Sequence, residues 1–413
     1  MQRMIRQGWR AITLVGAMLG AACSGSKDAA GDGDVIKVGV YGPFTGGSSP
    51  MGASMRDGVR LAVEEINAKG GVLGKKIELV ERDDQATNER GAQVMQDLVS
   101  DKKVVAVLGP INTGVALASY KYPMQAKIPL VINVSTGAPV NELFKDNPDN
   151  YVFRIAASDN IQAQMIVNEA VQTRGLNKVA LLCDDTSYGQ IGCYKMMEAL
   201  TAKGITPVYV GKFKLKDTDM TPQLQEARAR GAQAVLTYGI GPELAQIANG
   251  RNKLGWRVPM IASWTASMSN FIDAAAANGN GVQMPQTFIQ DAATSPKALA
   301  FVNRFKRKYG ADRIPSAVSA AQGYDSMHLL AMAVAQAGAT EGPKVKAALE
   351  NLQTPYEGAI ATFNRPFSPT DHEAIHAEQV VMGVVQNGKV APPAAGAAPT
   401  PAPPLPTTAP VKP

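Results

Sequence analysis

The sequence predicts an α/β fold of two Rossmann-like lobes, each a parallel sheet covered by helices. Two observations carry that expectation. The stretch Val35 to Asp84 reads as strand, loop, helix, strand, the βαβ unit whose crossover requires parallel pairing. The same rhythm runs on to Arg154 and begins afresh near Gln162, so a second sheet of the same type follows the first.

The chain has 413 residues, which suits two domains with extensions, and 45% apolar against 18% charged residues gives ample core. The formal charge of +6 is carried in part by Arg3, Arg6 and Arg10 of a leader, and no Lys/Arg block is present, so nucleic acid is not an expected partner. Residues 1–22 read as a secretory signal: three arginines, an apolar run Ala11 to Leu19, then small residues. Leu19-Gly20-Ala21-Ala22-Cys23-Ser24 resembles a bacterial lipobox with leucine displaced by one place. Cys23 is the expected lipidation site, and ordinary cleavage after Ala22 is the alternative. Residues 23–34 are small and polar, as a tether would be. An exported, periplasmic chain favours a disulfide between Cys183 and Cys193, with two free buried thiols as the alternative.

In order, Val35 to Tyr41 is an apolar strand, and Gly42 to Pro50 a loop of small residues. A helix follows in which Met51, Met55, Val59, Ala62, Val63 and Ile66 recur at helical spacing, ending at Lys69-Gly70-Gly71. Lys76 to Asp84 is the second strand, Gly91 to Ser100 a helix, and Val104 to Leu108 a strand buried on both faces. That strand stops at Gly109-Pro110-Ile111-Asn112-Thr113-Gly114; a helix to about Ala126 leads to Leu130-Val131-Ile132 and the loop Asn133 to Gly137. Three successive strands thus finish in loops of Gly, Ser, Thr and Asn. Such loops offer hydroxyls and backbone N–H groups that hold small anions without a metal. Tyr151 to Arg154 is a further strand. The second series comprises helices at Gln162–Thr173 and Ile191–Lys203, a loop Asp184 to Gln190, and strands at Val179–Cys183, Val208–Phe213, Val235–Tyr238 and Met260–Ala262. Its strand ends carry Tyr188, Tyr238 and Trp264, expected as exposed aromatics at loop positions. Then come a strand Thr287-Phe288-Ile289, a basic helix Lys297 to Tyr309, and a long apolar helix Ser316 to Ala337 expected to break mildly at Gly323. A helix Val345 to Leu352 and strands near Gly358–Asn364 and Glu378–Val385 close the fold. Residues 391–413 are almost wholly Ala, Pro and Thr and read as a disordered tail.

Gly42-Pro43-Phe44-Thr45-Gly46, Ala62 to Asn67, Gly70 to Lys75, Asp83-Asp84, Val107 to Pro110, Tyr151 to Arg154, Tyr188-Gly189, Gly323-Tyr324-Asp325 and Asp371-His372-Glu373 occur in one order. With them the chain, from about Val35 to Val390, resembles bacterial periplasmic solute-binding proteins of the leucine/isoleucine/valine-binding type, which serve ABC importers. The resemblance implies a type I periplasmic binding fold: two lobes joined by three crossovers, closing on a solute by a hinge. Lobe 1 would be 35–156 with 289–356, and lobe 2 157–288 with 357–390. It further implies a monomer that needs no cofactor and hands a small organic solute (amino acid, carboxylate or amide) to an inner-membrane ABC permease. By position, Thr113, beside Asn112, matches the hydroxyl on the ligand carboxylate, and Ser135 and Thr136 the loop contacting carboxylate and amine. Tyr188 and Tyr238 match the aromatics that close over the ligand, and Met51 a side chain that covers it.

Two positions depart from the amino-acid binders. Gly137 stands where they have a threonine, and their acidic residue matches Asn280, with Asn278 close by. An unpaired buried ammonium is costly, so the missing acid argues against a free α-amino acid. Trp264 adds an apolar wall for an aromatic or larger aliphatic acid. A ligand-sensing module of the same fold is the nearest alternative. Remoter is a zinc metallopeptidase read from His372-Glu373-Ala374-Ile375-His376, an H-E-x-x-H pattern with crowding prolines and no downstream third ligand. No catalytic group or metal site is expected, and Asp325 is expected to bond within its own lobe or near the hinge.

Overall fold

The computed structural model describes residues 35–392. The signal segment, Cys23, the tether and the tail from residue 393 lie outside the described residues. The first sheet is built from β1 (Val35–Gly42), β2 (Lys76–Asp83), β3 (Ala106–Leu108), β4 (Leu130–Ile132) and β5 (Val152–Arg154), in the order β2-β1-β3-β4-β5, all parallel. Between these strands run α1 (Ser49–Ala68), α2 (Asn88–Gln96), α3 (Thr113–Ser119), α4 (Lys121–Ala126) and α5 (Pro139–Glu142). The second series alternates α6 (Asp159–Asn168), β6 (Val179–Asp184), α7 (Ser187–Thr201), β7 (Tyr209–Phe213), α8 (Thr221–Ala229), β8 (Ala234–Tyr238), α9 (Gly241–Lys253), β9 (Met260–Ala262), α10 (Ser269–Ala275) and β10 (Gln283–Gln286). Helices α11 (Pro296–Tyr309), α12 (Ala317–Ala337) and α13 (Gly342–Leu349) follow, then a short hairpin of β11 (Tyr356–Glu357) and β12 (Thr362–Phe363). The antiparallel strands β13 (Val381–Gln386) and β14 (Lys389–Ala391) complete a second sheet of order β14-β13-β10-β9-β8-β6-β7.

The central strands are buried on both faces, as helices above and below a parallel sheet require. One apolar cluster fills the α2/α3 side of the first sheet and another the α8/α9/α10 side of the second. A third runs beneath α1, α12 and α6 and is continuous between the sheets. Helices α1 and α12 cross at glycines: a Cβ on Gly58 would lie 2.1 Å from the Ala320 carbonyl oxygen, and one on Gly323 2.2 Å from that of Met55. Gly323 is therefore a contact point and not the expected break, and α12 runs on through it.

Three further expectations are corrected. The strand placed at Thr287–Ile289 lies earlier, at Gln283–Gln286, where Pro285 disguises it; it pairs antiparallel with β13 and parallel with β9 only at Gln283–Ile261. The second sheet is consequently mixed, parallel from β7 to β10 and antiparallel beyond. The chain segment expected to join the second lobe at 357 instead stays with first-sheet elements through Glu373. Asp325 of α12 accepts from the Tyr356 hydroxyl (2.9 Å) and from the Ala359 and Ile360 N–H groups (2.8 and 2.9 Å), and His372 stacks on Phe153 of β5. The polypeptide passes between the two sheets three times, after β5, after β10 and before β13. Among the described residues no helix is long and apolar enough to cross a membrane.

Candidate functional site

The carboxyl ends of the two sets of parallel strands face each other, and the loops there build the site. On the first side, β3 leads into α3, whose first residue is Thr113. Its Oγ1 accepts from the Gly137 N–H and from the Ser135 hydroxyl, both at 3.3 Å. This explains Gly137: a Cβ there would lie 2.2 Å from the Thr113 methyl. The loop after β4 is held from behind as well. The Arg154 guanidinium donates to the Gly137 carbonyl at 2.8 Å, and the Asp159 N–H donates to the Thr136 carbonyl at 2.8 Å. Arg154, from β5, also makes a two-pronged pair with Glu373, Nε to Oε2 at 2.8 Å and Nη2 to Oε1.

The opposing wall is aromatic. Tyr188 sits in the first turn of α7, Tyr238 ends β8 and Trp264 opens a short 3-10 turn after β9. They are only 6%, 0% and 6% exposed, so the expected loop exposure is wrong. First-sheet loops close over Tyr188 and Trp264, Tyr238 lies behind Tyr188, and Tyr188 belongs to a helix that begins earlier than its loop-like sequence suggests. The Tyr188 and Tyr238 rings lie 4.8 Å apart between centroids. Cys183 of β6 and Cys193 of α7 form a disulfide with Cα atoms 6.0 Å apart, bracketing the turn that presents Tyr188. At the rim, Asn270 of α10 donates to the Gly47 carbonyl at 3.1 Å, tying the two sides across the cleft.

Two adjoining cavities lie between the walls, each with about 10 Å³ of free space, room for about one water. A solute can enter only when the walls part. Met51, Asn112, Thr113, Thr136, Tyr188 and Trp264 line the first cavity. Ser135 and Tyr238 stand one layer behind it, supporting Thr113 and Tyr188. Asn280 is elsewhere: it lies just before β10, at the amino end of the strands, where its Oδ1 accepts from Asn387 N–H at 2.8 Å. Asn278 is likewise occupied, donating to Asn249 at 2.8 Å.

A buried acid does lie near the site, at a position that sequence reasoning missed. Asp159, fully buried at the start of α6, accepts from the Tyr238 hydroxyl at 2.6 Å, and its second oxygen has no aligned partner. Burial pushes its carboxyl up to about 6, partly offset by the Thr136 and Tyr238 hydroxyls and the Arg154 charge. Ser158-Asp159 looks in sequence like an ordinary helix start, with Ser158 capping the Asn160 N–H.

The H-E-x-x-H segment is not helical, so its histidines do not share a helix face. His372 is buried, with Nδ1 on the Val152 carbonyl (2.9 Å) and Nε2 on Glu350 (3.1 Å); Glu373 is committed to Arg154; His376 caps a short 3-10 turn. Among the described residues no group of acids, histidines and cysteines is arranged to hold a metal.

Comparison with known families matches residues 35–389 to the family described as periplasmic binding protein. The chain belongs to this family. Among its relatives, the Leu/Ile/Val-binding protein BraC3 of Rhizobium johnstonii is 27% identical over 308 residues, 74% of this chain and 80% of that one. Leu/Ile/Val-binding protein homolog 3 of Brucella melitensis is 24% identical over 327 residues, 79% of this chain and 86% of that one. In structure, the branched-chain amino acid transporter substrate binding protein LivJ of Streptococcus pneumoniae, in complex with isoleucine, superposes with a TM-score of 0.75. It is 27% identical, covering 86% of this chain and 97% of that one. The protein is thus a type I periplasmic binding protein of the branched-chain amino acid type, and the cleft between its sheets is where such a fold holds a solute.

Proposed function

We propose that this periplasmic binding protein captures a small carboxylate-bearing solute outside the cytoplasm and delivers it to an ABC permease, binding and releasing it without chemistry. The observation that carries the reading is the convergence of the Thr113 hydroxyl and the Ser135 to Gly137 loop on a cavity walled by Tyr188 and Trp264. Hydroxyls and loop N–H groups suit a carboxylate, and the aromatic wall suits an apolar body next to it. Asp159 changes the weighing of solutes: a buried carboxyl behind the Tyr238 ring offers the counter-charge that an α-amino acid needs, so amino acids stand beside simple carboxylates and amides. Lipidation at Cys23 would tether a monomer to the membrane while residues 23–34 leave it free to meet the permease.

A thermal-shift panel of amino acids, aromatic acids and amides tests the reading, because a solute that binds only the folded state raises its melting temperature. Selective shifts are expected from carboxylates, and they should vanish in Thr113→Val and in Tyr188→Ala while both variants stay folded. Retained binding in Thr113→Val would remove Thr113 from the carboxylate site.

A further inference from the structure

The second cavity adjoins the first, with Thr136 and Trp264 lining both, and its lining differs in kind. No charged side chain among the described residues lines it; it is walled by the amides Gln162, Gln286 and Gln322 with Thr287 and some apolar surface. Four buried polar atoms on this lining have no aligned partner: Gln162 Oε1, Trp264 Nε1, Thr287 Oγ1 and Gln322 Oε1; the Thr136 hydroxyl is turned to the Asp159 carboxylate. Gln162 and Gln322 are 1% and 2% exposed, so bulk water does not serve them. The orientations are held. Gln162 Nε2 donates to the Ala157 carbonyl at 2.9 Å, which leaves its oxygen as the free end. Gln286 Nε2 donates to the Trp264 and Pro285 carbonyls at 3.1 and 2.7 Å and fastens the tryptophan. Buried polar groups without partners are costly, and a cluster of them on one cavity marks a place where a polar group belongs.

We infer that this amide-lined chamber is a subsite for an uncharged hydrogen-bonding group, a hydroxyl or a primary carboxamide, at the far end of the solute. This rests on the reading that the Thr113 side holds the carboxylate, and it narrows the solute class to carboxylates with such a group at their other end. The two amide oxygens accept only, the indole N–H donates only, and the Thr287 hydroxyl does either. A hydroxyl or carboxamide, which both donates and accepts, can satisfy members of each kind. An aliphatic end would leave all four unpaired. A charged end would be buried without a counter-ion.

Isothermal titration calorimetry on the mature protein decides it, with two probe pairs matched in size: glutamine against homoleucine, and 4-hydroxybenzoate against 4-methylbenzoate, with leucine as a further apolar-ended probe. In at least one pair the polar-ended member should bind about tenfold more tightly or better. Gln322→Met and the shape-conserving Thr287→Val should each erode that preference while changing the affinity of the apolar-ended member by no more than about twofold. Equal or tighter binding of the apolar-ended probes, leucine included, overturns the subsite and leaves the carboxylate reading standing. So does a preference that survives both variants. Binding of none of the five probes overturns the carboxylate reading and the subsite with it.

Discussion

Replacing Glu373 by glutamine tests how the site loop is held. The Arg154 guanidinium is 1% exposed and has three acceptor contacts: both carboxylate oxygens of Glu373 and the Gly137 carbonyl. Burial alone would lower the arginine's pKa, but the Glu373 charge outweighs it and the net direction is upward, so the cation persists. Glu373→Gln therefore leaves a buried positive charge facing a neutral amide. Breaking a fully buried pair costs about 3–5 kcal/mol. The Glu373 side chain is 24% exposed, and solvent screening there reduces the expected loss to about 2 kcal/mol. For a chain of this size that is a fall of roughly 3 °C in melting temperature. Urea unfolding of Glu373→Gln, Arg154→Met and the double variant gives the coupling directly. The double variant should lose less than the sum of the single losses, since it buries no lone charge. Solute affinity should fall alongside, because the same guanidinium anchors Gly137. A Glu373→Gln protein within about 0.5 kcal/mol of the parent, with unchanged affinity, would refute the reasoning.

Three other outcomes follow from the site. Asp159 has a folded-state pKa of about 6 against an ordinary 3.8, raised by burial, so the folded protein holds this proton more tightly than the unfolded chain. Its contribution to stability accordingly falls as pH rises from about 4 through about 6, and Asp159→Asn should flatten that part of a urea-midpoint profile. Solutes with an ammonium group should bind more tightly as pH rises through about 6; a flat calorimetric profile would exclude Asp159 as their counter-charge. Reduction of the disulfide, or Cys193→Ser, opens a loop with a sequence separation of 10 and should cost about 3 kcal/mol in denaturant unfolding. It should also weaken solute binding by freeing the turn that carries Tyr188, whereas unchanged affinity would limit the bridge to a structural role.

The layout of the first sheet was legible because strands covered on both faces, such as Val107-Leu108 and Leu130 to Ile132, must be continuous apolar runs, and their loops must sit at one edge. Thr113, Thr136 and Tyr188 are legible through the family resemblance, with which the loop placement is only consistent. What escaped was non-local. Burial of Trp264 depends on first-sheet loops more than a hundred residues away in sequence, and that of Tyr238 on Tyr188 and Gly192 of α7 and on Asp159. Asp159 shows nothing locally that separates it from an exposed helix start. Gly323 signals a break by propensity, whereas its use is the close approach of α1. Pro285 argues against a strand that β13 nonetheless pairs. The H-E-x-x-H pattern specifies spacing and not helicity, and here the chain is extended.

The amide-lined chamber takes one wall residue from each of the three passages between the sheets: Ala157 after β5, Thr287 after β10 and Val380 before β13. A solute tail seated there rests beside the pivot. Near a pivot, leverage works against the guest: a slight excess of bulk becomes a wide gape at the rim, where Asn270 meets Gly47. Fit in a space of a few atoms would thus be broadcast as the angle of the whole jaw, which is the feature a permease can feel from outside without touching the cargo.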